Sequence, residues 1–313
     1  LSLHDALPIS LAFYAVLIAL NIWRIASYRK RVVDDLHDPT RAFGFFTFIA
    51  ATNVVSAMFV GIGLELPAAV LLAAAIAAWV VMGYSIPWLA VLSNPRRPIL
   101  EAANGTWFIW VVASQSIAVV AAGIEPLYPE ARQWLAIIAV TTWSMGVMLY
   151  AMCGLLLLFR LIMYRLEPQQ LDPPYWITMG AMAITVVAGA RIVEMDDAPM
   201  IDVTRALIAG LSVIFWAFAT WLIPALLAAG VWRHVVKRVP FRYQPTLWSF
   251  VFPMGMYAAA SIYLGRANRL PVVEAVGEIW FWAALLAWSI TAVGMVFDIG
   301  GRLSAWRNTK ETV

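Results

Sequence analysis

Charge is scarce in this chain. Asp, Glu, Lys and Arg supply 12% of its 313 residues, whereas a soluble domain carries about 25%. So few charges cannot cover a surface that faces water, which excludes an ordinary soluble globule. Cysteine is almost absent: the lone Cys153 rules out a disulfide framework and a multi-cysteine metal cluster. The three histidines, His4, His37 and His234, all lie outside the apolar stretches. A membrane cytochrome needs axial ligands inside the bilayer, usually His, so that class is removed. Lys30, Lys237 and Lys310 are likewise outside those stretches, which removes a retinal protein with its Schiff-base lysine. No G-x-x-x-x-G-K-[ST] run occurs, so nothing suggests an ATP-driven pump. A net charge of +3 is too small to point to nucleic acid. No cofactor and no metal site are expected.

Apolar residues are abundant instead, at 63%, with a mean hydropathy of +0.82. The 16 Trp and 10 Tyr fit a membrane protein, because both side chains favour its two interfaces. A helix needs roughly 20 apolar residues to cross a bilayer. Nine such stretches are predicted, at 9–28, 43–62, 67–92, 105–124, 134–163, 175–193, 206–233, 244–264 and 279–299. The links between them are too short for a soluble domain. The expected organisation is one transmembrane domain over 9–299 and a cytoplasmic tail at 300–313, with residues 1–8 as a non-native or disordered leader.

Basic residues divide unevenly between the two sets of loops. Sixteen of the 21 Lys and Arg fall on one side, which the positive-inside rule assigns to the cytoplasm together with the C-terminus. Nine spans then place the N-terminus outside. The opening LSLHDALPIS reads neither as a signal peptide nor as a span. The expectation is therefore a fragment that lacks one upstream helix, with ten spans when that helix is restored.

No predicted span carries a charge near its middle, where charge marks proton relays and ion-coupled sites. The spans alternate between two kinds. Those at 67–92, 134–163, 206–233 and 279–299 are bulky and rich in Trp. Those at 43–62, 105–124, 175–193 and 244–264 carry small or polar residues at depth, among them Asn53, Ser114, Thr185, Gly255 and Ser261. Small residues let helices approach and tolerate a water-lined path. The second kind is expected to form an inner ring and the first to shield it from lipid. Pro253 cannot bond the carbonyl of Ser249 and should kink its helix. Phe252 stands just before it at mid-depth, where a large ring can close a pore by excluding water; packing between helices is the plainer use of such a Phe.

Three segments carry a resemblance: Asn104-Gly105-Thr106-Trp107, Asp172-Pro173-Pro174-Tyr175-Trp176-Ile177 and Trp248-Ser249-Phe250-Val251-Phe252-Pro253. In order and spacing they resemble the tellurite-resistance/dicarboxylate transporter family. That family includes the plant slow anion channels, fungal malate permeases and sulfite exporters. The resemblance covers the chain from about residue 9. It implies an all-α polytopic membrane protein of five helical hairpins around a central pore, assembled as a homotrimer in a bacterial inner membrane. It implies a Phe gate at Phe252, and makes Asn53, Ser114, Thr185, Gly255 and Ser261 candidates for lining the pore. Arg96 and Arg97 are candidates for collecting anions at the cytoplasmic mouth, although positive-inside topology alone explains them. The function implied is passage of small inorganic anions or dicarboxylates, with proton-coupled export of malate, sulfite or tellurite-related anions as the alternative. A membrane enzyme would need an acid–base cluster; the nearest candidates, Glu194, Asp196, Asp197 and Asp202, read as a solvated loop.

Overall fold

The computed structural model describes residues 3–94 and 98–311. Among them every regular element is helical. The helices are α1 (Leu3–Ser27), α2 (Arg29–His37), α3 (Thr47–Gly61), α4 (Glu65–Pro87) and α5 (Ile109–Ile124). They continue with α6 (Arg132–Met163), α7 (Ile177–Val193), α8 (Pro199–Val231), α9 (Trp248–Ala267) and α10 (Pro271–Glu311). Nine helical segments among the described residues are long and apolar enough to cross a membrane, and they coincide with the nine predicted stretches. At the ends, α1 begins at Leu3 and α10 runs on through Glu311. The short α2 is new. Its sequence, RKRVVDDLH, is charged and buries only Val32.

Two layers separate by burial. In the spans containing α5 and α7, 83% of the most apolar window is buried, against 17–22% in those containing α4, α6, α8 and α10. The layers follow from side-chain size. Ala, Gly, Ser and Thr let α5 and α7 be surrounded on every face, whereas the outer helices present Leu, Ile, Val and Trp outward, as lipid requires. Each inner helix pairs with the outer helix that follows it: α3 with α4, α5 with α6, α7 with α8 and α9 with α10. The inner helices also pack in chain order, α3 on α5, α5 on α7 and α7 on α9, while α1 packs on α3. Because every outer helix returns the chain, α3, α5, α7 and α9 all run in one direction.

Each inner helix starts with a 3₁₀ turn, at Ala42–Phe46, Gly105–Phe108, Pro173–Trp176 and Pro245–Leu247. Residues that favour turns precede them: Asp38-Pro39, Asn104, Asp172 and Gln244. Asn104 accepts a hydrogen bond from the backbone N–H of Thr106 at 2.8 Å, the usual device for an open helix start. Pro173 and Pro245 occupy first-turn positions, where a missing N–H costs nothing. These lead-in turns touch one another. Trp107 Nε1 donates to the Pro39 carbonyl at 2.8 Å, and a Cβ on Gly105 would lie 1.9 Å from the Pro174 carbonyl oxygen. Only glycine permits that approach.

Candidate functional site

Aromatic N–H and O–H groups join the two layers. Trp79 Nε1 on α4 donates to Ser114 Oγ on α5 at 2.8 Å. Trp143 Nε1 on α6 donates to the Thr185 carbonyl on α7 at 3.0 Å. Trp216 Nε1 on α8 donates to Ser261 Oγ on α9 at 2.8 Å. Tyr14 on α1 and Thr52 on α3 bond through their hydroxyls at 2.8 Å. In every case an outer helix reaches the next inner helix along the chain. The physical reason is the medium: an indole N–H in an apolar interior needs a partner.

This geometry locates most of the candidate pore-lining residues. Ser114 and Ser261 are fully buried between layers, and each also donates to a carbonyl of its own helix, that of Trp110 or Tyr257. Thr185 Oγ1 donates to the Ala181 carbonyl at 2.7 Å. Asn53 Nδ2 donates to Ser116 Oγ at 2.9 Å across the α3–α5 contact. The hydroxyls at 114, 185 and 261 are thus engaged within the protein, and those at 114 and 261 join two helices. Gly255 differs. It is exposed, a Cβ there would meet nothing within 4 Å, and it lies in a groove of about 480 Å³ with Val251, Ala259 and Phe281.

Phe252 is half-buried and packs on the larger apolar core. Pro253 is buried, and α9 is helical without a break through it. The ring seats against α7 at Gly180, where a Cβ would come within 2.8 Å of Pro253 Cγ. Phe252 therefore adjoins a close contact between α9 and α7.

The end of the bundle where the inner helices begin holds two buried arginines. Arg160, near the end of α6, and Arg233, just past α8, are 3% and 8% exposed. Arg160 Nε donates to the Glu101 carbonyl at 3.1 Å, and its Nη2 donates to Gln170 Oε1 at 3.0 Å. Arg233 Nη1 donates to the Leu171 carbonyl. Asn94, past the end of α4, does the same to the His37 carbonyl at 2.8 Å. α4, α6 and α8 thus each clamp the segment leading into their own inner partner. Burial pushes the Asp172 carboxyl above its ordinary range, and the nearby Arg233 charge opposes the rise. Arg96 and Arg97 lie outside the described residues.

The opposite end is built from ion pairs. Buried Glu125 binds Arg132, which also reaches Asp196 at 2.7 Å. Arg205 pairs with Asp197 at 2.9 Å and Arg266 with Glu274 at 2.7 Å. Arg191 lies 3.9 Å from Glu194 and donates to Tyr263 Oη at 2.9 Å. Among the described residues the acidic loop therefore holds the α7–α8 connection to its neighbours. No group of three or more His, Cys, Asp or Glu in metal-binding geometry occurs among the described residues.

Reading the sequence missed the clamps and the interlayer bonds. A signal for both was present: an Arg stands seventeen positions after the linking Trp in 143–160 and again in 216–233.

The sequence is similar to several membrane proteins and transporters. An uncharacterized membrane protein of Mycobacterium tuberculosis is 56% identical over 155 residues, 50% of this chain and 79% of that protein. Two uncharacterized transporters of Methanocaldococcus jannaschii are 26% and 25% identical over 195 residues, 62% of this chain. The chain spans just over half the length of those two transporters, 55% and 56%. The model of the voltage-dependent anion channel family matches residues 6–296. With its nine apolar spans, the chain is a multi-pass membrane protein that belongs to the voltage-dependent anion channel family.

Proposed function

We propose that this chain conducts small inorganic anions or dicarboxylates along a path between α3, α5, α7 and α9, with the ring of Phe252 as its gate. The parallel course of these helices carries the reading. Their N-termini gather at one end, and each contributes about half a positive charge there through its backbone dipoles. An anion entering that mouth meets a favourable potential without a charged residue at mid-depth. Weak passage by dipoles and small groups suits conduction better than tight binding. Phe252 and Gly255, neighbours one turn apart on α9, are the residues proposed for the path itself. Pro253 removes one helix bond beside the ring and is the proposed kink that lets it swing. The mouth is placed on the cytoplasmic side of a bacterial inner membrane, with the C-terminus, and the assembly as a homotrimer.

The archaeal relatives are named as transporters, and the second reading is a proton-coupled exporter of malate, sulfite or tellurite-related anions. One experiment addresses both. Anion current is measured in planar bilayers for wild type and Phe252→Ala. A small wild-type current that rises roughly ten-fold or more in the variant supports the gate. Unchanged current in a folded variant removes Phe252 from that role. If neither conducts, uphill anion movement in vesicles driven by a pH gradient alone supports the exporter.

A further inference from the structure

We propose that Arg160 and Arg233 determine charge specificity: their buried guanidinium groups make the mouth at the inner-helix N-termini prefer anions over cations. The inference rests on the conduction reading above. It starts from an imbalance. Among the described residues the only buried charged side chains are Glu125, Arg160 and Arg233. Glu125 has its arginine. Neither buried arginine forms an ion pair with a described residue; both donate to neutral oxygens of the lead-in segments.

One nitrogen of each group, Arg160 Nη1 and Arg233 Nε, is buried with no hydrogen-bond partner among the described residues. Guanidinium does not lose its proton at any working pH, so both groups remain cations. The negative ends of α6 and α8 make that tolerable, because cations are favoured at a helix C-terminus. Those ends offer partial charges, whereas each guanidinium carries a full one.

Position gives these charges their effect. Arg160 bridges the lead-in segments of α5 and α7 through Glu101 and Gln170. Arg233 holds Leu171, beside Asp172, in the lead-in to α7. Both therefore lie at the start of inner helices. Four other arginines at this end are more exposed and carboxylate-bound: Arg24 and Arg41 to Asp35, Arg165 to Glu167 and Arg302 to Asp298. A charge in a low-dielectric interior acts further than one on the surface and is screened less by salt. Asp172 is the carboxylate that opposes Arg233.

The test uses the full-length protein in planar bilayers, with the reversal potential in a KCl gradient giving the chloride-to-potassium permeability ratio. Arg160→Gln and Arg233→Gln should each lower the ratio roughly three- to ten-fold. Arg160→Lys and Arg233→Lys, which keep the charge and lose the fork, should hold it within about two-fold. Asp172→Asn should raise it, and Arg165→Gln should leave it unchanged. The wild-type ratio should also persist from about 0.1 to 1 M KCl, over which the Debye length falls from ~10 to ~3 Å.

Gln variants that conduct with an unchanged ratio would overturn the proposal, as would a wild-type preference that vanishes at high salt. If the Gln variants do not fold, the Lys variants and the salt series decide. Absence of any anion current in wild type would instead defeat the conduction reading, and this inference with it.

Discussion

The two ends of the bundle solve the same problem in different ways. Where the inner helices begin, buried Arg160 and Arg233 donate to carbonyl and amide oxygens, and backbone contacts lock neighbouring lead-in turns together. Where those helices end, Arg132, Arg191, Arg205 and Arg266 meet carboxylates. The first arrangement leaves positive charge in place beside positive helix ends, whereas the second neutralises it.

The largest expected effect comes from breaking the lead-in end. A Cβ at Gly105 would meet the Pro174 backbone, not a side chain that can rotate away. Gly105→Ala should therefore cost about 3 kcal/mol, read as a large drop in the thermal unfolding midpoint of the solubilised protein. A retained midpoint would mean the turns are not rigidly joined. The far end should fail more gently. Glu125→Gln leaves Arg132 with the more exposed Asp196 alone, and a loss of roughly 1–2 kcal/mol is expected. No change would show that the ion pairs there contribute little. The smallest effect lies between the ends. Trp216→Phe keeps the ring and deletes one interlayer bond to Ser261; about 0.5–1 kcal/mol is expected, together with a matching loss in Ser261→Ala. A double variant whose loss equals the sum of the two singles would deny that these side chains act as a pair.

Much of the architecture was legible in advance. The nine spans follow from runs of apolar residues whose length the bilayer itself sets. The inner and outer layers followed from side-chain bulk, since small residues in 105–124 and 175–193 mark helices enclosed by others. The candidate site was less legible. Ser114, Thr185 and Ser261 stand out in the sequence as polar at depth, yet rotation about a helix axis decides whether such a group faces a path or a neighbouring helix. An apolar span with a weak amphipathic pattern does not specify that rotation. The tryptophans opposite them do, and those lie 35, 42 and 45 positions away. The burial of Arg160 and Arg233 was hidden for a similar reason: a span-end arginine ordinarily snorkels to the interface.

By itself the sequence determined the membrane, the nine apolar spans and the alternation of layers. Each of these depends on local composition and on the requirement that helical backbone satisfy itself in lipid. Only the tertiary structure decided which polar groups face one another and which arginines keep an unneutralised charge. Those outcomes depend on contacts between segments some 60 residues apart, such as Arg160 with Glu101 and Arg233 with Leu171, and no local pattern encodes them.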